Sequence, residues 1–205
     1  MVEQRPCKAK VPCSSHGGGT RIKMYTKLTQ DFLKKEFNDW ESLKGNNLLN
    51  SYNSFTTRLE YFNISNLDLF RSIHCKKMFT IRPDRVRFSR ITGKGILYPH
   101  KDHDTTAVLN YYISTSNDPT IFYKQNEDAK AFSYPGRKQE NIFNPDGLVE
   151  IGRFNASSND VYLLNVSEIH SVEKSDLEPR IFISYLWNSA SYDDVLNDII
   201  NTKDM

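Results

Sequence analysis

The residues best suited to chemistry are His100 and Asp102, in Pro99-His100-Lys101-Asp102, and His170, far downstream in Ile169-His170-Ser171-Val172. Alternate side chains of an extended chain point to the same face, so His100 and Asp102 project together while Lys101 turns away. Two imidazoles and a carboxylate on one side of a divalent cation leave its opposite side open. That donor set suits Fe(II) centres that activate dioxygen, although affinity order alone does not select iron over other divalent metals. His103 and Asp104 are adjacent rather than alternating and read as decoys, with His103 kept as the alternative to His100. Each residue also has an ordinary reading, since a lone histidine is more often a hydrogen-bonded structural group. The functional reading rests on their order, and on Arg180 ten positions after His170. A planar guanidinium there offers a two-pronged donor to a carboxylate.

Strands must carry these side chains. After Pro83 the run Arg85 to Ile91 alternates polar with apolar, the mark of a half-buried strand. Further strand-like runs are Val108 to Ser114, Thr120 to Tyr123, Val149 to Phe154, Val161 to Val166, Ile169 to Glu173 and Arg180 to Trp187. Turn residues separate most of them: Gly93, Asn117-Asp118-Pro119, Pro145-Asp146-Gly147 and Ser158-Asn159-Asp160. Many short strands at this spacing predict a mainly β sandwich or jelly roll. Upstream, Phe32, Leu33, Phe37, Trp40 and Leu43 share one side of a predicted helix over 31–43, and a shorter one runs through Leu67, Phe70 and Ile73. Both read as helices packed on the sheet, with His74 and Cys75 as buried structural residues. At the other end Ser191 caps a helix whose Tyr192, Val195, Leu196, Ile199 and Ile200 share a face, covered by the sheet or by another subunit.

Residues 1–24, with Pro6, Pro12 and glycines 17–19, read as a flexible N-terminal arm, and 25–205 as a single domain. Cys7, Cys13 and His16 lack the spacing and fourth ligand of a zinc site. The polar stretch 124–147 is long for an irregular connection and is expected to cover the site.

Composition bounds the partners. With 205 residues, 38% hydrophobic and 12% aromatic, the chain can bury one core and leans toward strand. A net charge of +2 argues against a nucleic-acid or membrane surface. No apolar run is long enough for a membrane span and the start has no apolar signal region. Three irregularly spaced cysteines suit a reducing compartment, so the expected location is cytoplasmic. Three Asn-x-Ser matches, at Asn63, Asn155 and Asn165, carry no weight in a chain read as unsecreted.

Taken in order, Arg90-Ile91-Thr92-Gly93, Pro99-His100-x-Asp102, Leu109-Asn110, Leu164-Asn165 before His170-Ser171-Val172, and Pro179-Arg180 with Ser184 resemble Fe(II)/2-oxoglutarate-dependent dioxygenases. The likeness spans residues 85–187 and is nearest the aspartyl/asparaginyl and proline hydroxylase-like small oxygenases. It implies a double-stranded β-helix with flanking N-terminal and C-terminal helices. It further implies Fe(II) held by His100, Asp102 and His170, and 2-oxoglutarate whose distal carboxylate meets Arg180. Ser184, on the Arg180 face of its strand, is expected to add a hydrogen bond to that carboxylate. The family often places its serine two residues after the arginine, where this chain has Phe182. Asn110 and Tyr112 share a face and are candidates for the co-substrate pocket, Tyr112 equally for core packing.

The implied activity is dioxygen-dependent hydroxylation of an unactivated C–H in an amino acid, peptide side chain or small metabolite. Leu186 stands near where nucleic-acid demethylases of this superfamily carry a second arginine, and Asp102 argues against a halogenase. Arg82, Arg85, Arg87 and Arg90 read as a solvated face, with attraction of an acidic substrate as the functional alternative. Two other classes remain: a cupin-like divalent-metal protein with non-redox chemistry, and a non-catalytic binding module.

Overall fold

The computed structural model describes residues 23–28, 50–53, 57–63, 79–115, 117–126, 131–132 and 142–202. Eight strands make the frame: β4 (Arg85–Gly93), β5 (Gly95–His100), β6 (Ala107–Ser114), β7 (Pro119–Gln125), β10 (Leu148–Asn155), β11 (Val161–Asn165), β12 (Ile169–Lys174) and β13 (Arg180–Trp187). Their pairings are nested. β7 pairs with β10, β6 with β11, β5 with β12 and β4 with β13, all antiparallel. A long ribbon folded over itself in this way distributes its strands alternately between two facing sheets, which is a jelly roll, or double-stranded β-helix.

Five short strands extend this frame. β1 (Tyr25–Leu28), β2 (Asn50–Asn53) and β3 (Thr57–Asn63) join the first sheet, in the order β1-β11-β6-β13-β4-β3-β2. β8 (Ala131–Phe132) and β9 (Ile142–Phe143) join the second, in the order β10-β7-β12-β5-β9-β8.

Alternation along the strands sorts side chains between two cores. Ile91, Val108, Tyr112, Phe182 and Leu186 of the first sheet meet Leu97, Phe122, Phe154 and Val172 of the second in the layer between the sheets. The opposite face of the first sheet carries Val86, Phe88, Leu109, Ile183, Tyr185 and Trp187. Helix α1 (Tyr192–Thr202) covers that face with Tyr192, Val195, Leu196 and Ile199, so the sheet, not a second subunit, buries the apolar stripe. Ile200, assigned to that stripe by periodicity, is 48% exposed. Ser191 caps the helix as expected: its hydroxyl accepts from the Asp194 amide at 3.2 Å, and Asp194 accepts from the Ser191 amide at 3.1 Å. Asp198 of the same helix accepts the Thr80 and Ile81 amides at 2.8 and 2.9 Å, fastening the lead-in to β4.

The predicted strands recur with ends shifted by a residue or two. The β4–β5 turn uses Gly93 and Gly95 at φ of 85° and 130°, where side chains are strained. Asn117 and Asn159 take φ of 60° and 70° in two expected turns. Gly95–His100, Thr57–Asn63 and Tyr25–Leu28 are strands that periodicity did not reveal, too short or too mixed in polarity to stand out. The predicted helices at 31–43 and 67–73 fall outside the described residues, as do His74, Cys75 and nearly all of the arm. At the arm's end, the Met24 carbonyl accepts the Asn165 amide at 2.9 Å.

Candidate metal centre and its cavity

His100 closes β5 and His170 is the second residue of β12, and the two stand directly opposite each other across the ladder. Their rings lie 4.4 Å apart between centroids. Asp102 is the third member. The potential ligand atoms of His100, Asp102 and His170 all lie within 4.8 Å of one another, and His103 is not part of the group. The expected reason for the His-x-Asp spacing needs correcting, because β5 ends at His100 and Asp102 lies beyond the strand. It is brought in by the loop, whose Asp102 amide donates to the Val166 carbonyl at 3.1 Å. The segment after β5 is thereby fastened to the turn that leads into β12.

Both histidines are oriented alike. His100 Nδ1 donates to the Tyr98 carbonyl at 2.7 Å, and His170 Nδ1 to the Glu168 carbonyl at 3.0 Å. A neutral imidazole with its proton on Nδ1 keeps its lone pair on Nε2, and backbone carbonyls commonly hold metal-binding histidines in this way. His100 Nε2 lies 3.6 Å from Asp102 Oδ1. Burial pushes the His170 imidazole down to about 4, His100 adding to the depression while Asp102 and the Glu168 carbonyl oppose it. It is therefore neutral and competent to donate at ordinary pH. The donor chemistry, tautomer and clustering fit a divalent metal.

The group opens on a cavity of about 130 Å³ between the sheets, room for several waters or a small ligand. Arg180, Asn110, Tyr112 and Ser184 all line it. Arg180 is 2% exposed. It donates from Nη1 to the Asp118 carbonyl at 3.0 Å and from Nη2 to Thr120 Oγ1 at 2.7 Å, and it sits 4.7 Å over the Tyr112 ring. Ser184 donates to Asn110 Oδ1 at 2.7 Å, and Asn110 Nδ2 approaches the Tyr112 hydroxyl at 3.4 Å. The hydroxyl beside Arg180 is thus that of Thr120, while Ser184 stands on the Asn110 row, opposite both Asn110 and Arg87.

Sequence reasoning missed what holds the arginine. Lys174 and Asp118 form an ion pair at 2.7 Å with both side chains fully enclosed. Lys174 also donates to the Glu178 carbonyl, and Asp118 accepts the Ser175 amide and hydroxyl at 2.8 and 3.0 Å. This network fixes the start of β7, from which Asp118 and Thr120 reach Arg180. The arginine run proves mixed. Arg85 pairs with Asp104 and Arg90 with Glu60, whereas Arg87 lines the cavity. As for the polar stretch at 124–147, its strand β9 places Ile142 opposite His100.

No protein-family model and no curated protein matches the chain. Among solved structures it is similar to a 2OG-Fe(II) oxygenase family oxidoreductase from Burkholderia pseudomallei, at 11% identity and TM-score 0.44 over 74% of this chain and 79% of that one. HygX from Streptomyces hygroscopicus, with nickel and 2-oxoglutarate bound, matches at 13% identity and TM-score 0.38 over 70% and 74%. Bacillus subtilis oxalate decarboxylase, in a mutant form, matches at 15% and 0.35 over 69% of this chain but only 29% of its own. Values this low carry no inference about activity, and it is the strand order that defines the jelly roll. Among the described residues no helix is long and apolar enough to cross a membrane.

Proposed function

We propose that the chain is an Fe(II)- and 2-oxoglutarate-dependent dioxygenase that hydroxylates an unactivated C–H of an amino acid, peptide side chain or small metabolite. The observation that carries this reading is Arg180. It is enclosed in the same cavity as the His-Asp-His group and, among the described residues, has only neutral partners. A buried cation without a counter-charge is costly, so the site is built for an anionic ligand. A metal-binding triad beside an anion clamp fits a dicarboxylate that spans the two.

In this reading His100, Asp102 and His170 hold the metal, and their Nδ1 contacts aim both imidazoles at it. Arg180 receives the distal carboxylate. Two of its five N–H donors are committed to Asp118 and Thr120, which fixes the plane of the fork and leaves the others for the ligand. Bound Fe(II) with 2-oxoglutarate and dioxygen supplies the oxidation, in which 2-oxoglutarate yields succinate and carbon dioxide and a substrate C–H becomes C–OH. The apolar walls, Leu97, Val108, Val172 and Phe182, exclude water around the reacting groups.

The test is anaerobic titration of the full chain with Fe(II), then with 2-oxoglutarate, followed by a succinate assay in air. One metal per chain and metal-dependent 2-oxoglutarate binding are expected. His100→Ala should abolish metal uptake with the fold intact, since the side chain ends a strand at the cavity rather than in the core. Arg180→Lys keeps the charge but loses the fork. Losing one charge-assisted bond, about 1.5 kcal/mol, should weaken 2-oxoglutarate roughly tenfold. Metal uptake without any 2-oxoglutarate affinity would instead leave a cupin-like metal protein.

A further inference from the structure

We infer that Arg87 is the docking point for a carboxylate of the primary substrate, so that the substrate class is a small acid such as a free amino acid. This rests on the reading above and narrows it.

Arg87 sits on the inner face of β4. Its cross-strand row runs Asn63, Arg87, Ser184, Asn110 over four strands of the first sheet. The row containing Arg180 runs Leu59, Ile91, Arg180. Ile91 and Arg87 are four residues apart on one strand, so the two arginines are rooted on the same wall one strand apart and offset by about 13 Å along it. Both line the cavity that holds the metal triad. Arg180 is buried whereas Arg87 is half-buried, and Arg87 is near enough to Asp102 to feel its charge. In the proposed pose one diacid is already engaged at both ends, by Arg180 and by the metal triad, so the second cation is left for a different molecule.

The neighbours of Arg87 show that it is unlike the rest of the arginine run. Arg85 lies 2.9 Å from Asp104, and Arg90 pairs with Glu60. Among the described residues no carboxylate lies in ion-pair distance of Arg87. Its Nε donates to Asn63 Oδ1 at 3.2 Å, and its guanidinium carbon lies 4.6 Å over the Tyr61 ring. These two contacts fix the guanidinium plane through Nε and one face. The terminal Nη pair, the edge that grips a carboxylate with two parallel bonds, has no carboxylate among the described residues to bind. A merely solvated arginine would need neither the cavity position nor the aromatic support.

The test uses the full chain loaded with Mn(II) and 2-oxoglutarate. Pools of free L-amino acids and small monocarboxylic acids, labelled with ¹³C at the carboxylate, are added and their resonances followed for paramagnetic broadening. At least one acid should broaden with the wild type while its amide does not. Arg87→Met should require at least tenfold more of that acid, and Arg87→Lys should lie between. Both variants should take up Mn(II) and 2-oxoglutarate as the wild type does. If no acid broadens on the loaded wild type, or if broadening persists unchanged in Arg87→Met, the inference fails alone. If the wild type binds neither Mn(II) nor 2-oxoglutarate, the metal-centre reading fails and takes this inference with it.

Discussion

His170 is 8% exposed, and its enclosure decides how it competes with protons. Its folded value of about 4 lies below the ordinary 6.5, so between those values the unfolded chain binds a proton that the fold refuses. The corresponding stability of the metal-free protein is fully present above about pH 6.5 and is lost as pH falls toward 4. Urea unfolding at about pH 7.5, 6 and 5 should show the decline, and His170→Asn, which cannot titrate, should flatten it. An equal slope in both proteins would place the proton elsewhere. At this scale much was legible in the sequence. His100, Asp102, His170 and Arg180 stand out because ligand chemistry and guanidinium geometry demand those residue types, and all four line one cavity. The groups that hold Arg180 were not legible. Asp118 and Thr120 act across 62 and 60 positions, and nothing local in Asn117-Asp118-Pro119-Thr120 signals more than a turn and a strand start.

The residue before β7 and the last residue of β12 meet through Asp118 and Lys174, and this pair predicts its own energetics. Asp118→Ala takes from an enclosed ammonium its nearest carboxylate, a change that should cost about 3–5 kcal/mol in urea unfolding. Because Asp118 also positions β7 under Arg180, 2-oxoglutarate binding should weaken in the same variant. The double replacement Asp118→Leu with Lys174→Met, which removes both charges, should recover most of the stability. Failure to recover would mean that shape rather than charge is at stake. Strands such as β4 and β13 could be read from alternation or from a largely apolar run. β5 could not, since Gly95-Ile96-Leu97-Tyr98-Pro99-His100 offers only three hydrophobic residues, without alternation, between glycine and proline and is held by its partners β12 and β9. β3 was hidden differently. Thr57-Arg58-Leu59-Glu60-Tyr61-Phe62-Asn63 alternates well enough, but it lies between two stretches of helical period, and its place next to β4 comes from long-range pairing.

On the scale of the whole molecule, spacing of short strands predicted a sandwich or jelly roll and the family resemblance narrowed this to a double-stranded β-helix, whereas the sheet order depends on the nested pairings that only the folded chain displays. That order also places the two short strands described within the long polar stretch. Its strands β8 and β9 continue the second sheet beyond β5, with Ile142 paired to His100 itself. The described end of the stretch is thus rooted beside His100, one of the proposed metal ligands, a position from which a covering segment could control access. We expect 124–147 to act as a lid, residues 13–20 being a further candidate cover outside the described residues. Lids of this kind exclude water while the oxidant is generated and commit the substrate. Replacing residues 133–140 by a short Gly-Ser link keeps β8 and β9 but removes the connection between them. Succinate formation without added substrate should then rise relative to the full chain, because 2-oxoglutarate is consumed with nothing held in place to receive the oxygen. Metal and 2-oxoglutarate affinity should be unchanged, since their side chains come from other elements. If substrate-free turnover stays at the level of the full chain, protection of the site comes from the sheet walls, and substrate choice rests on strand residues such as Arg87 and Tyr61.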